Sequence, residues 1–393
     1  MLSISNLVAD HQAGNEGLRY GHRKPRPEFS LEVAPRPVVV WAVTNACNLK
    51  CVHCYASATT DPLKGELTYD QGVALLDDLK QFNVPAILFS GGEPLVRPDV
   101  LRLLGYARQI GHRVTLSTNG LLIDDAMADR LAELGMQYIG ISIDGGRQTH
   151  DRLRGLAGAF EGSMAAVKRC RDRGIKVGLR FTVHALNYQE MDHVIDQCLA
   201  YDVPRLCIYH LAYAGRGGKM QKVDLTTEQT RQVVERIFTR TAELHRSGAP
   251  LEVLTVANHA DAAYAILRLE AHDPQAAAEL HQRLRGTGGN QSGNFISSVD
   301  PLGNVHYDQF SWHYTCGNVK DRPFSETWGG AADPRLKILR DRVAHLPEAC
   351  RQCRFLDICN GNLRTRAEAA TGDWLGFDPS CYLSAAERAP RKV

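Results

Sequence analysis

A chain of 393 residues, 44% hydrophobic and 23% charged, has room for two or three packed cores and no bias toward disorder, fibre or repeat. Its formal net charge of +2 provides no broad basic field for nucleic acid. It has no apolar run of about 18 residues to span a membrane, and the first thirty residues lack the apolar stretch of a signal peptide, so the expected location is the cytoplasm.

Residues 1–35 are polar and punctuated by prolines, which predicts an extension wrapped over the surface. Short β-rich runs then alternate with helical patterns. The strands are "PVVVWAV", "AILFS", "RVTLST", "YIGISI", "VGLRFTV" and "RLCIYHL"; between them lie segments such as "YDQGVALLDDLKQF" and "DVLRLLGYARQIG", apolar at three- and four-residue spacing. This alternation predicts βαβ units and a parallel sheet. Six units without a seventh or eighth predict an α/β fold, a partial (β/α)6 TIM-like barrel over residues 36–225. Residues 226–291 carry two long helical patterns and read as a helical connector. Residues 292–393 open with a β-hairpin, "NFISSVDPLGNVHYDQF", turned by Asp300, Pro301 and Gly303, and continue as a small cysteine-bearing domain.

Eleven cysteines are many for a cytoplasmic chain, where disulfides are rare and clustered thiols indicate metal or redox chemistry. Cys170, Cys198, Cys207 and Cys316 stand alone and read as buried thiols. Cys47, Cys51 and Cys54 form C-x3-C-x2-C in the loop after the first strand, the face where parallel β/α folds build active sites. Three ligands suit a 4Fe-4S cluster whose fourth iron stays open; His53, inside the loop, would complete a zinc site instead. Cys350, Cys353, Cys359 and Cys381 follow C-x2-C-x5-C-x21-C, and four thiolates suit either zinc or a fully ligated 4Fe-4S cluster.

C-x3-C-x2-C after the first strand resembles the radical S-adenosylmethionine superfamily. The resemblance implies that S-adenosylmethionine chelates the open iron and that its cleavage yields a 5'-deoxyadenosyl radical. "FSGGEPL" after the second strand resembles the family's turn at the methionine group, placing Gly91, Gly92 and Glu93 there. Ser117 and Asn119 after the third strand, Ser142 and Asp144 after the fourth, and Arg180 on the fifth resemble further cosubstrate-facing positions. The second cysteine pattern resembles a SPASM-type C-terminal extension; Leu363 stands where the full pattern has a further cysteine, which implies one auxiliary 4Fe-4S cluster.

"GTGGNQSGNFISSVDPLGNVHYDQFSWHYTCGNVKDRPFSETW" and "DICNGNLRTRAEAATGDWLGFDPSCYL" resemble the NirJ family of heme d1 biosynthesis. This implies an iron tetrapyrrole substrate, 12,18-didecarboxysiroheme, loss of its propionates at C3 and C8, and an external one-electron donor such as flavodoxin or ferredoxin. The competing readings are a sister enzyme that removes acetate groups from the same tetrapyrrole in alternative heme synthesis, a peptide-modifying SPASM enzyme, for whose N-terminal recognition domain residues 1–35 are too short, and a non-catalytic electron carrier. A multi-carboxylate macrocycle calls for cations at the cavity rim. Arg216 and Lys219, after the sixth strand, are candidate carboxylate partners, as are Arg364 and Arg366 unless these pair with Glu368. His210, His306 and His313 are candidate axial ligands, each with a structural, hydrogen-bonded reading beside it.

Overall fold

The computed structural model of the chain describes residues 1–8, 35–249, 251–286, 288–330 and 332–390. All six expected strands form: β2 Val38–Ala42, β3 Ile87–Ser90, β4 Val114–Thr118, β5 Tyr138–Ser142, β6 Lys176–Val183 and β7 Arg205–His210. Their near-continuous apolar runs are buried on both faces, as strands covered by helices on one side and by barrel interior on the other must be. The helices between them are α2 Tyr69–Gln81, α3 Val100–Gln109, α4 Asp125–Glu133, α5 Arg147–Arg154, α6 Ala159–Asp172 and α7 Met191–Ala200, following the short α1 Ile4–Val8. A capping box of Thr68 and Gln71 starts α2 by satisfying amides that the first turn leaves open.

The segment expected as a helical connector contains a further strand, β8 Glu252–Val256, parallel to β7. Its leading charge hides it from an apolar-run search. Glu252 sits opposite Arg205 in register, and the two form a buried ion pair across the strands. Around β8 lie α8 Thr227–Arg246, α9 Ala260–Glu270 and α10 Pro274–Arg285. The sequence pattern read the last two as one helix. Pro274 lacks the amide to continue α9 and sits at the start of α10, where Asp273 caps by accepting from Ala276 N.

The hairpin forms as expected, β9 Ile296–Val299 against β10 Asn304–His306, followed by β11 Gly317–Asn318. It is also part of the main sheet, because β9 runs parallel to β2. At the other edge, β1 Leu2–Ser3 pairs antiparallel with β8. One 11-stranded sheet results, in the order β1-β8-β7-β6-β5-β4-β3-β2-β9-β10-β11. The first residues of the expected surface extension are therefore built into the sheet, and residues 9–34 lie outside the described residues. Among the described residues, no helix is long and apolar enough to cross a membrane.

Candidate active site

The three-cysteine loop leaves the C-terminal end of β2 and is hooked to the turn after β3. Gly92 N donates to Thr44 O and Glu93 N to Ala46 O, each at 2.8 Å. The turn approaches so closely that a Cβ on Gly91 would lie 2.3 Å from Thr44 O, and one on Gly92 2.3 Å from Ala46 O; Gly91 also has φ of +141°. These glycines thus serve the loop as well as the cavity that they line. From the other side Arg216 clamps the loop, its Nε donating to Cys51 O at 2.8 Å and its Nη1 to Ala58 O at 2.7 Å.

Each thiol meets a donor: Leu49 N on Cys47 Sγ at 3.4 Å, Ala58 N on Cys54 Sγ at 3.5 Å, and Arg154 Nη1 on Cys51 Sγ at 3.6 Å. Burial pushes Cys47 up to about 12 and raises Cys51, with the Arg154 charge acting against the latter shift. Thiols so desolvated become thiolates when a metal supplies the positive charge.

Arg154 is buried, and its Nη2 pairs with Asp144 at 2.5 Å. The same carboxylate takes His53 Nε2 at 3.1 Å. Although buried, Asp144 is held well below the usual carboxylate range by the Arg154 and His53 charges. Asp144 therefore lies behind the cavity wall as counter-ion to Arg154, and not among the residues lining it. Nε2 of His53 is committed to Asp144, while its buried Nδ1 has no partner. Glu93 is likewise buried behind the wall. Its carboxylate accepts from Leu95 N at 3.1 Å, Thr118 Oγ1 at 2.8 Å and Asn119 N at 2.8 Å, and burial raises it to about 6. Glu93 ties β3 to β4 and brings Asn119 to the site.

A cavity of about 740 Å³ opens at the C-terminal ends of the strands, within the size range of small-molecule sites. Cys47, Cys51, Cys54, Gly91, Gly92, Ser117, Asn119, Ser142 and Arg180 all line it. Arg180 Nη1 donates to Ser117 Oγ, while its buried Nε and Nη2 have no partner. Gly140 makes room for this guanidinium, since a Cβ there would lie 2.3 Å from Arg180 Nε. Two orphaned donors beside three thiols fit an anionic cosubstrate chelated at an iron–sulfur cluster. The cavity continues past Leu254 and Val256 to Gly289, Phe310, Ile358 and Leu363, so it ends beside Cys359 of the second group.

The substrate candidates fare unevenly. Arg216 lines the cavity, but two of its nitrogens are spent on the cysteine loop. Lys219 is exposed and outside the cavity. His210 lines it, with Nε2 held by Asp261 at 3.0 Å. His306, held by Tyr314 O at 2.7 Å and Asp300 at 3.3 Å, and His313, held by Glu368 at 2.7 Å, do not line it and are structural. Arg366 pairs with Asp378 at 2.7 Å, not with Glu368. Arg364 points its donors at the Gly376 and Gly361 carbonyls. Glu368 goes instead to His313 and Arg335. Arg154 had no signal in the sequence, because nothing in spacing links it to Cys51, 103 positions away.

Cys350, Cys353, Cys359 and Cys381 come together around one small void, as their spacing suggested. Burial raises all four, Cys381 to about 11, and each thiol repels its neighbours' negative charge. The buried Arg364 Nε beside them has no partner, as an anionic metal–thiolate group would require. Of the lone cysteines, Cys170, Cys198 and Cys207 are buried, and Cys316 is half-buried and apart from both groups.

Comparison with known proteins places this geometry. The chain is 46% identical to Fe-coproporphyrin III synthase of Methanosarcina barkeri, over 98% of each chain. It is 42% identical to pre-heme d1 synthase of Dinoroseobacter shibae, over 92% of this chain and 90% of the relative. Streptococcus suis SuiB bound to S-adenosylmethionine shares the fold, with a TM-score of 0.70 at 17% identity over 89% of this chain and 78% of that one. The Radical SAM superfamily model matches residues 41–198, which run from β2 through the cysteine loop to α7. The chain belongs to the radical S-adenosylmethionine superfamily.

Proposed function

We propose that this enzyme removes carboxylate-bearing side chains from an iron tetrapyrrole, with 12,18-didecarboxysiroheme as substrate and the propionates at C3 and C8 as the groups lost. The observation that carries the reading is the single cavity running from Cys47, Cys51 and Cys54 across the barrel mouth to Ile358, beside Cys359. It suits a wide, flat substrate lying between two cysteine sites. The likeness to pre-heme d1 synthase supports the propionate reading.

Cys47, Cys51 and Cys54 would hold a 4Fe-4S cluster, and Cys350, Cys353, Cys359 and Cys381 a second. The first cluster with S-adenosylmethionine supplies radical hydrogen abstraction when bound. The chain's residues position the partners. Arg180 offers Nε and Nη2 to the cosubstrate carboxylate, Ser117 and Asn119 line its side of the cavity, and the clamps of Arg216 and the Gly91–Gly92 turn keep the thiols in place. Leu254, Val256, Phe310 and Leu363 give the substrate an apolar wall that displaces water.

A second reading, loss of acetate from the same tetrapyrrole, is favoured by the 46% identity to Fe-coproporphyrin III synthase. Anaerobic turnover of the reconstituted, reduced enzyme with S-adenosylmethionine and 12,18-didecarboxysiroheme, read by mass spectrometry, separates the two. Mass losses for propionate with 5'-deoxyadenosine formed support the first reading, and losses for acetate move the enzyme to the second. Uncoupled 5'-deoxyadenosine with unchanged tetrapyrrole refutes both.

A further inference from the structure

The arginines around the second cysteine group differ from the other buried arginines described above. Arg154, Arg205 and Arg366 each face a carboxylate. Arg342 is 1% exposed, yet it donates only to neutral acceptors: Leu339 O at 3.0 Å, Asn290 Oδ1 at 2.8 Å and Ser292 O. Arg364 is fully buried and donates only to backbone carbonyls, with Nε left unpartnered. Arg388 donates to Ala349 O at 3.3 Å, and its Nε is also unpartnered. None of the three forms an ion pair with a carboxylate among the described residues.

A buried cation outside any ion pair is costly, so a further anion at this site would stabilise all three. The thiols are within electrostatic reach. Arg364 acts on Asp378 first and then on Cys350 and Cys359, Arg342 on Cys359, and Arg388 on Cys350, Cys353 and Cys381. The nearby carboxylates are already committed, Asp378 to Arg366 and Asp357 to His281 and Arg285. Asp308, which also acts on Arg342, is buried and takes Ser292 Oγ at 2.6 Å.

We infer that Arg342, Arg364 and Arg388 are the counter-charges of a four-thiolate 4Fe-4S group at this site, and that they raise its reduction potential. The inference rests on the iron–sulfur reading of Cys350, Cys353, Cys359 and Cys381. A 4Fe-4S core with four thiolates is a dianion, and one added electron makes it a trianion. Fixed positive charge stabilises the reduced form more than the oxidised one and so shifts the midpoint upward. These arginines act through the group's charge and are positioning residues.

The test uses the full chain, reconstituted with iron and sulfide, in a Cys51→Ala background so that only the second site titrates. Iron and sulfide are counted first, and the midpoint is then read by EPR-monitored redox titration. Arg364→Gln and Arg388→Gln are expected to move the midpoint to a more negative potential, and Arg364→Lys to keep it near the parent value. The half-buried Arg388 guards against a folding artefact at the buried Arg364. Gln variants that keep their iron and titrate like the parent overturn the inference. A parent protein with zinc, or with no metal, at the second site overturns the iron–sulfur reading itself, and the iron count separates that failure from an unmoved midpoint.

Discussion

The two cysteine groups solve the problem of buried negative charge in opposite ways. At the first, three thiols share one arginine, Arg154, whose charge is already balanced by the Asp144 carboxylate. At the second, four thiols sit near Arg342, Arg364 and Arg388, none of which forms an ion pair with a carboxylate among the described residues, although the Asp378 and Asp308 charges act on Arg364 and Arg342. The first group also opens into a large cavity that contains the orphaned donors of Arg180, whereas the second surrounds a small void. An open, charge-balanced site suits binding of a cosubstrate that brings its own charges. A small site with unpaired arginines around it suits a permanent anionic group.

The largest break in this comparison comes from the ligands. Cys51→Ala is expected to abolish S-adenosylmethionine cleavage, while Cys359→Ala lowers the iron content by about four per chain and leaves cleavage in place. Iron analysis and 5'-deoxyadenosine assays read both variants. Equal loss of cleavage in the two would show that the sites do not have separate roles.

Next in size is the buried pair behind the first group. Asp144→Asn leaves Arg154 charged and unbalanced, at a cost of roughly 3–5 kcal/mol, which chemical denaturation of the metal-free protein would read. Arg364→Gln at the second group, where no carboxylate partner is broken, should cost the metal-free protein less. If the two cost the same, the contrast in charge balance is wrong.

Glu93 gives a smaller, pH-dependent effect. Its folded value of about 6 lies above its ordinary 4.5, so between these the fold binds more protons than the unfolded chain. Stability should therefore fall as pH rises from 4.5 to 6, by up to about 2 kcal/mol. Glu93→Gln should flatten that slope in denaturation curves of the metal-free protein, and an unchanged slope would assign it to other groups.

The smallest effect is at the edge of the second group, where Glu387 holds Arg231 at 2.6 Å and caps a short C-terminal helix through Ser384. The Arg231 hydrogen bond lowers Glu387 to about 2, so its contribution is present above pH 4.5 and lost as pH falls through 2. The pair is partly exposed, which limits Glu387→Gln to less than about 1 kcal/mol at neutral pH; thermal melts at pH 7 and pH 2 would check it.

Local signals in the sequence were sufficient for much of this protein. Continuous apolar runs identified β2 to β7, because strands buried on both faces need them. The short spacing of Cys47, Cys51 and Cys54, and of Cys350, Cys353 and Cys359, anticipated that each set would meet, since a few residues of loop cannot carry them far apart; Cys381 joins from 22 positions beyond Cys359, which only the fold brings about. The Gly91–Gly92 turn and the positions of Ser117, Asn119, Ser142 and Arg180 at successive strand ends were legible for the same reason: in a parallel sheet, strand ends share one face.

What escaped the sequence depended on partners distant in the chain. β8 was hidden because Glu252 is tolerated only opposite Arg205, 47 positions earlier. Asp144 and Glu93 were read as facing the cosubstrate, yet tertiary packing turned both behind the wall to hold Arg154, His53 and Asn119. Arg216 was drawn to the cysteine loop and Arg366 to Asp378. By itself the sequence determined that the closely spaced thiols group, that β2 to β7 form and which end of the sheet bears the site, because those follow from short-range spacing and strand periodicity. Only the tertiary structure decided where each buried charge finds its counter-charge, because that pairing is set by three-dimensional proximity and desolvation.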